Sequence, residues 1–209
     1  MKIYLSASNQ TDNIYNTHAQ MSECDVCYLI AQKIQDYLSS INGIECKLGG
    51  KHDTMASKVK ASNDFESEYH ICIHTNAGGG KGTEVYIAPK NINDVIVNKV
   101  YQNVANLTPN PDRGIKNGLF LYEVSYTNAK CIYIEVEFHD SYGDWIFENV
   151  DEIAYAIASS FGQVKETNVV NSNNLFKVQL GAFTTLERAE RYKKELKSKY
   201  NIDTYIVKP

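Results

Sequence analysis

Apolar positions along the chain follow two rhythms in turn. Lys2 to Ala7 is a short apolar run that predicts a first strand. In residues 21–38, Cys24, Cys27, Tyr28, Ala31, Ile34 and Leu38 recur at the three- and four-residue spacing of one helix face. Ser22 and Asp25 have the spacing of a capping box at its start, and Asn42-Gly43 ends it. Ile44 to Leu48 predicts a second strand and Thr54 to Phe65 a helix. Tyr69 to His74 predicts a strand running into the glycine-rich loop Asn76-Ala77-Gly78-Gly79-Gly80. Thr83 to Ala88 predicts a strand and Asn91 to Leu107 a helix, which Pro109 and Pro111 close off. Leu119 to Val124 and Cys131 to Phe138 are read as strands, and 148–161 as a last helix.

Strands alternating with helices predict an α/β fold, a twisted and mostly parallel sheet flanked by helices. Sites in such sheets lie beyond the carboxyl ends of the strands, where His74 and the segment after Glu135 fall. The polar, Asn-rich stretch 163–174 reads as a linker between a main domain, 1–162, and a small module, 175–209. In that module Phe176–Leu180, Thr185–Lys199 and Thr204–Val207 predict a βαβ unit, thin for an independent core.

Charge supports two modules with different partners. The 209 residues carry a formal charge of −4, which excludes a uniformly basic nucleic-acid coat. Residues 175–209 are +4 and the rest −8. The apolar runs fall far short of the roughly 18 residues of a membrane span, so no membrane insertion is expected. The N-terminus has no basic stretch followed by a long apolar one, so the chain is expected to be made in the cytoplasm without a signal peptide. Five cysteines, an odd number, fit reduced thiols; Cys72 and Cys131 read as core residues, as do Cys24 and Cys27.

The candidate chemistry sits at strand ends and one helix start. His74 closes an apolar strand, and Glu23 lies in the first turn of the first long helix. Glu135 stands inside Ile132-Tyr133-Ile134-Glu135-Val136-Glu137-Phe138, which reads as a buried strand. A carboxylate there costs several kcal/mol unless it is paired or metal-bound. Strict alternation puts Glu135, Glu137 and His139 on one side. A Glu with two His fits the three protein ligands of a catalytic zinc, though not at the local spacing of an H-E-x-x-H helix.

Several motifs recur in order: Tyr4-Leu5-Ser6-Ala7-Ser8-Asn9-Gln10, Ser22-Glu23, Ile73-His74-Thr75-Asn76-Ala77-Gly78, Arg113-Gly114-Ile115-Lys116 and Ile134-Glu135-Val136-Glu137-Phe138. Over residues 1–161 the chain resembles the zinc-dependent N-acetylmuramoyl-L-alanine amidases of the amidase-3 type, found in phage endolysins and bacterial autolysins. The resemblance implies one zinc per catalytic domain, held in part by Glu23 and His74, with Glu135 as catalytic glutamate. It implies cleavage of the amide between N-acetylmuramic acid and L-alanine. The family's first His ligand has no counterpart, since Ser6-Ala7-Ser8-Asn9 stands in its place. The replacement is His139, or alternatively His18. Asn76, Arg113 and Lys116 are expected to bind substrate, and Glu137 has no assigned role.

Phe176-Lys177-Val178-Gln179-Leu180-Gly181-Ala182-Phe183, with Ala189-Glu190 and Tyr205-Ile206-Val207, resembles half of a SPOR domain, which binds peptidoglycan glycan strands. The thin half-module predicts a homodimer that pairs two halves. The expected partner is peptidoglycan, stem peptide and glycan strand, with the enzyme acting on the cell wall after release. The competing readings are a wall-binding module without catalysis and a zinc peptidase of the stem peptide.

Overall fold

A computed structural model describes residues 1–15, 21–164 and 185–200. The chain divides into two units, Met1–Thr167 and Asn168–Pro209. The elements of the first unit are β1 (Lys2–Ala7), α1 (Glu23–Ser39), β2 (Glu45–Leu48), α2 (Met55–Asp64), β3 (Tyr69–Asn76), β4 (Glu84–Ile87), α3 (Val95–Leu107), β5 (Ile115–Asn117), α4 (Tyr122–Tyr126), β6 (Lys130–Phe138), α5 (His139–Glu148) and α6 (Val150–Ala158). In the second unit the helix expected over 185–199 is present as α7 (Leu186–Tyr200). The strands expected at 176–180 and 204–207, and His18, lie outside the described residues.

The six strands form one sheet in the order β2-β1-β3-β6-β4-β5. All neighbours are parallel except β4 and β6, which run antiparallel. Period-2 alternation sorts the side chains. Ile3, Leu5, Ile71, Ile73, Ile132, Ile134 and Val136 are fully buried with Val26, Ile30, Ile34, Val97, Val100, Ile153 and Ile157 of α1, α3 and α6. Each aliphatic chain buried there contributes about 1.5–3 kcal/mol. The other face carries Tyr4 and Ser6 of β1, His70, Cys72 and His74 of β3, Cys131, Tyr133 and Glu135 of β6, and Glu84 and Tyr86 of β4. One face is oil; the other is polar and titratable.

The capping box at α1 is formed, with the Ser22 hydroxyl accepting from Asp25 N and the Asp25 carboxylate accepting from Ser22 N. This fixes where the helix begins and hence where Glu23 points. Two local departures from the expected elements stand out. Leu119 to Val124 is not a strand: the chain turns at Gly118, where Leu121 N donates to Gly118 O, and continues as the short helix α4. Apolar content alone does not separate a short strand from a short amphipathic helix. The strand of that region is β5; the helix predicted over 148–161 is present as α6, while α5 before it was not predicted.

The third departure lies at the end of β6. The β3–β6 register runs His74↔Glu135 and then Asn76↔Phe138, so β6 carries an extra residue there. Such a bulge inverts the alternation beyond it. Glu137 and His139 therefore do not share Glu135's side. Glu137 is fully buried and accepts from Gly82 N (2.6 Å), Phe138 N (3.0 Å) and Asn110 Nδ2 (3.0 Å). Gly82 has φ +96°, and a Cβ there would stand 2.0 Å from Pro111 O. The role of Glu137 is thus to hold the bulge and the two loops beside it. Glu137→Ala leaves three donors without acceptors and should cost about 3 kcal/mol. Urea unfolding will show a lowered midpoint with unchanged slope. Glu137→Gln, which keeps one oxygen, should cost less.

Candidate active site

At the carboxyl ends of β3 and β6, Glu23, His74 and Glu135 come together. His74 Nδ1 lies 3.0 Å from Glu23 Oε1, with the Glu23 side chain fully buried. Thr75 N (3.4 Å) and Asn13 Nδ2 (2.9 Å) also donate to Glu23. Burial pushes the Glu23 carboxyl up, but the His74 hydrogen bond and charge, with Asn13 and Ser8, outweigh it and hold the carboxyl below its ordinary range.

Glu135 lacks such compensation. Its Oε2 is buried and has no hydrogen-bond partner. Burial, reinforced by the negative charges of Glu23 and Glu84 and opposed by His74, pushes its carboxyl up to about 7. A carboxyl poised near neutrality beside an ordered Glu–His pair is suited to taking and returning a proton. Tyr133 stacks on the His74 ring at 4.3 Å and fixes its plane.

His139 stands at the start of α5, where its Nδ1 lies 3.1 Å from Thr75 Oγ1, which accepts from the Tyr15 hydroxyl at 2.8 Å. Tyr15 also stacks on the His139 ring at 5.0 Å. Thr75 thus joins His139 to Glu23, one contact through its hydroxyl and the other through its backbone N–H. Asn9, where the resembled family carries a His, gives its Nδ2 to Asp53 O.

The predicted substrate-binding residues converge on one carboxylate. Arg113 Nε donates to Glu84 Oε2 at 2.7 Å and Lys116 Nζ donates to the same oxygen. Asn76 Nδ2 (2.7 Å) and the Tyr86 hydroxyl (2.9 Å) donate to Glu84 Oε1. Burial alone would raise the Glu84 carboxyl; Lys116 and Arg113 lower it instead. Glu84 is the cross-strand partner of Glu135, so this cationic pair borders the site. The sequence reading missed Glu84, although a Glu beginning a strand after a glycine-rich loop was a visible signal.

Among the described residues, the only His, Cys, Asp or Glu trio with donor atoms all within 4.8 Å of one another is His70, Cys72 and Cys131. It lies deeper on the same face. His70 Nε2 is 3.1 Å from Glu123 Oε1, Ser6 donates to that oxygen, and Tyr4 stacks on the ring. None of the trio is more than 2% exposed, so it presents nothing to a substrate.

The Glu135 shift carries a sign that can be checked. A carboxyl raised from an ordinary 4.5 to about 7 is disfavoured as an anion in the folded chain. Below pH 4.5 both states are protonated and there is no penalty. The penalty grows from pH 4.5 to 7 and is complete above it, at about 3 kcal/mol. In chelator-treated protein, Glu135→Gln should therefore stabilise the fold at pH 8 and leave it unchanged at pH 4, as read from urea midpoints.

The pattern of the N-acetylmuramoyl-L-alanine amidase family matches residues 8–161, and that of the SPOR domain matches 158–208. The chain is 24% identical over 204 residues to the sporulation-specific N-acetylmuramoyl-L-alanine amidase of Bacillus subtilis, covering 91% of this chain and 78% of that protein. It is 26% identical over 165 residues to the N-acetylmuramoyl-L-alanine amidase CwlM of Bacillus licheniformis, covering 74% of this chain and 62% of that one. The fold resembles the catalytic domain of CwlV, an N-acetylmuramoyl-L-alanine amidase from Bacillus (Paenibacillus) polymyxa, with a TM-score of 0.67 and 19% identity, over 77% of this chain and 96% of that one. The chain belongs to the N-acetylmuramoyl-L-alanine amidase family, the enzymes that hydrolyse the amide joining N-acetylmuramic acid to L-alanine in peptidoglycan.

Proposed function

We propose that this amidase runs its reaction at Glu135, beside one zinc held by Glu23, His74 and a further histidine. The observation that carries the reading is the buried, unpartnered Oε2 of Glu135 next to the Glu23–His74 pair. The donor set fits zinc: a carboxylate oxygen and an imidazole nitrogen 3.0 Å apart. The further ligand we assign to His139, whose Nδ1 faces Thr75 and leaves Nε2 as its donor. His18 is the alternative. Zinc bound there would polarise the scissile carbonyl and lower the pKa of a water.

The chain's own groups supply the proton transfers. Glu135 as anion takes a proton from the attacking water. A C–O bond forms at the lactyl carbonyl carbon, the C–N bond breaks, and Glu135 returns the proton to the nitrogen of L-alanine. The products are a lactyl carboxylate and a free peptide amino terminus. Arg113 and Lys116, gathered by Glu84, would meet the carboxylates of the stem peptide, and Asn76 would line the groove. The SPOR segment is assigned to peptidoglycan binding, so both parts of the chain act on the cell wall. Among the described residues no helix is long and apolar enough to cross a membrane. Pairing of two chains through the SPOR segment is a separate proposal, which sedimentation of the full chain decides.

Elemental analysis after gel filtration tests the site. Wild type should hold about one zinc, lost in Glu23→Gln and His74→Ala and retained in Glu135→Gln. Glu135→Gln should lower kcat by about 10²–10⁴. Loss of zinc in His139→Ala but not His18→Ala supports the assignment; the reverse transfers the role to His18. New termini other than L-alanine amines would mean a peptidase.

A further inference from the structure

Beside the site, the segment after β5 exposes an unusual run of large apolar side chains. Leu119 is 51% exposed, Phe120 73%, Tyr122 40% and Tyr126 63%. They are contiguous with the catalytic face. Phe120 meets Tyr86 edge-on at 5.5 Å, Tyr86 meets Tyr133 at 6.3 Å, and Tyr133 stacks on His74. The Tyr122 and Tyr126 rings lie 4.6 Å apart, tilted by 32°, one turn apart on α4. The opposite side of α4 is anchored: Glu123 and Val124 are buried, with Val124 packed among Cys72, Ala88, Cys131 and Tyr133. The exposed rings therefore stand on a fixed base.

Past this ridge lies an open cleft of about 380 Å³ that Ala88, Lys90, Asn91, Leu119, Ser125 and Thr127 help to line. Ala88 directly follows β4, four residues on from Glu84, so the cleft begins about 13 Å from the Glu84–Glu135 strand pair. That is the scale of an oligosaccharide rather than of one sugar.

We propose that Phe120, Tyr122 and Tyr126 form a platform on which sugar rings of the glycan strand stack, carrying the strand from the reacting N-acetylmuramic acid toward this cleft. The proposal rests on the amidase reading above, in which every cleaved amide hangs from a polysaccharide. A pyranose offers an apolar C–H face and a rim of hydroxyls, and tyrosine offers a ring face and a hydroxyl. Across Leu119–Tyr126 the one ionisable acid or base other than tyrosine is the buried Glu123, so the ridge has nothing for the acidic stem peptide. A second copy of the chain is the poorer occupant. The four side chains expose about 450 Å², against about 800 Å² per partner in a stable interface.

The test is the KM of the full chain for stem-peptide-bearing glycan strands of increasing length, from one disaccharide upward, in wild type and Phe120→Ala/Tyr126→Ala. Both side chains are more than half exposed, and circular dichroism will check folding. For wild type, KM should fall as the strand lengthens. The variant should lose that fall, with KM on long strands about tenfold higher and kcat unchanged. A wild-type KM independent of length, or one raised equally on all substrates in the variant, overturns the platform while leaving the activity standing. A wild-type dimer that the two substitutions dissociate, seen by sedimentation, makes the ridge a self-contact and also overturns it. Failure of wild type to release L-alanine amino termini from any strand would sink the amidase reading, and the platform with it.

Discussion

The structure turns on how four carboxylates are sorted around one face of the sheet. Glu23, Glu84, Glu123 and Glu135 are all drawn out of water to some degree, which disfavours the anion in each. Three have dedicated partners. Glu23 has His74, Glu84 has Arg113 and Lys116, and Glu123 has His70 and the Ser6 hydroxyl. Their net shifts are downward. Glu135 is left with a buried, unpartnered oxygen and two anionic neighbours, and its carboxyl alone is pushed up. The fold thus leaves one carboxyl raised toward neutrality by giving partners to the other three acids and not to this one.

That sorting requires rigid placement, which the apolar face supplies. Strands β1, β3 and β6 are pinned by isoleucines and leucines packed against α1, α3 and α6, so the polar side chains opposite have little freedom to relax. The bulge in β6 then changes which residues can join them. Without it, Glu137 and His139 would follow Glu135 onto the polar face. With it, Glu137 turns to the Gly82 and Asn110 loops, and His139 turns to Thr75 and Tyr15. The glycine at position 82 belongs to the same device, since no side chain fits at its close approach to Pro111.

Much of this was legible in the sequence, for physical reasons. The short, mostly apolar runs gave away β1, β3 and β6, because both faces of these strands are largely buried. The Ser22–Asp25 capping box located the turn that presents Glu23. Glu135 stood out because an acid inside such a run has to be explained. The bulge was not legible: an extra residue leaves no mark on composition, and the period-2 rule continues through it unless a structure shows the register. Nor was α4, where five residues are too few for periodicity to decide between helix and strand. The Glu84 clamp was missed because its members come from β3, β4, β5 and the loop after α3, which only the sheet order brings together.

The substitution at the end of β1 fits the same logic. Where the resembled family carries its first histidine, this chain has Ser8 and Asn9, and both are employed otherwise. Ser8 sits against Glu23, and Asn9 ties the strand end to the Asp53 carbonyl. The neutral Ser8 hydroxyl supports the Glu23 anion, so the end of β1 braces this carboxylate. On the zinc reading proposed above, a further donor must come from elsewhere around Glu23. Besides His74, the described residues offer His139, buried and held by the same threonine whose backbone N–H reaches Glu23. Under that proposal, the Ser8–Asn9 strand end and the bulge that turns His139 toward Thr75 are two parts of one arrangement around Glu23.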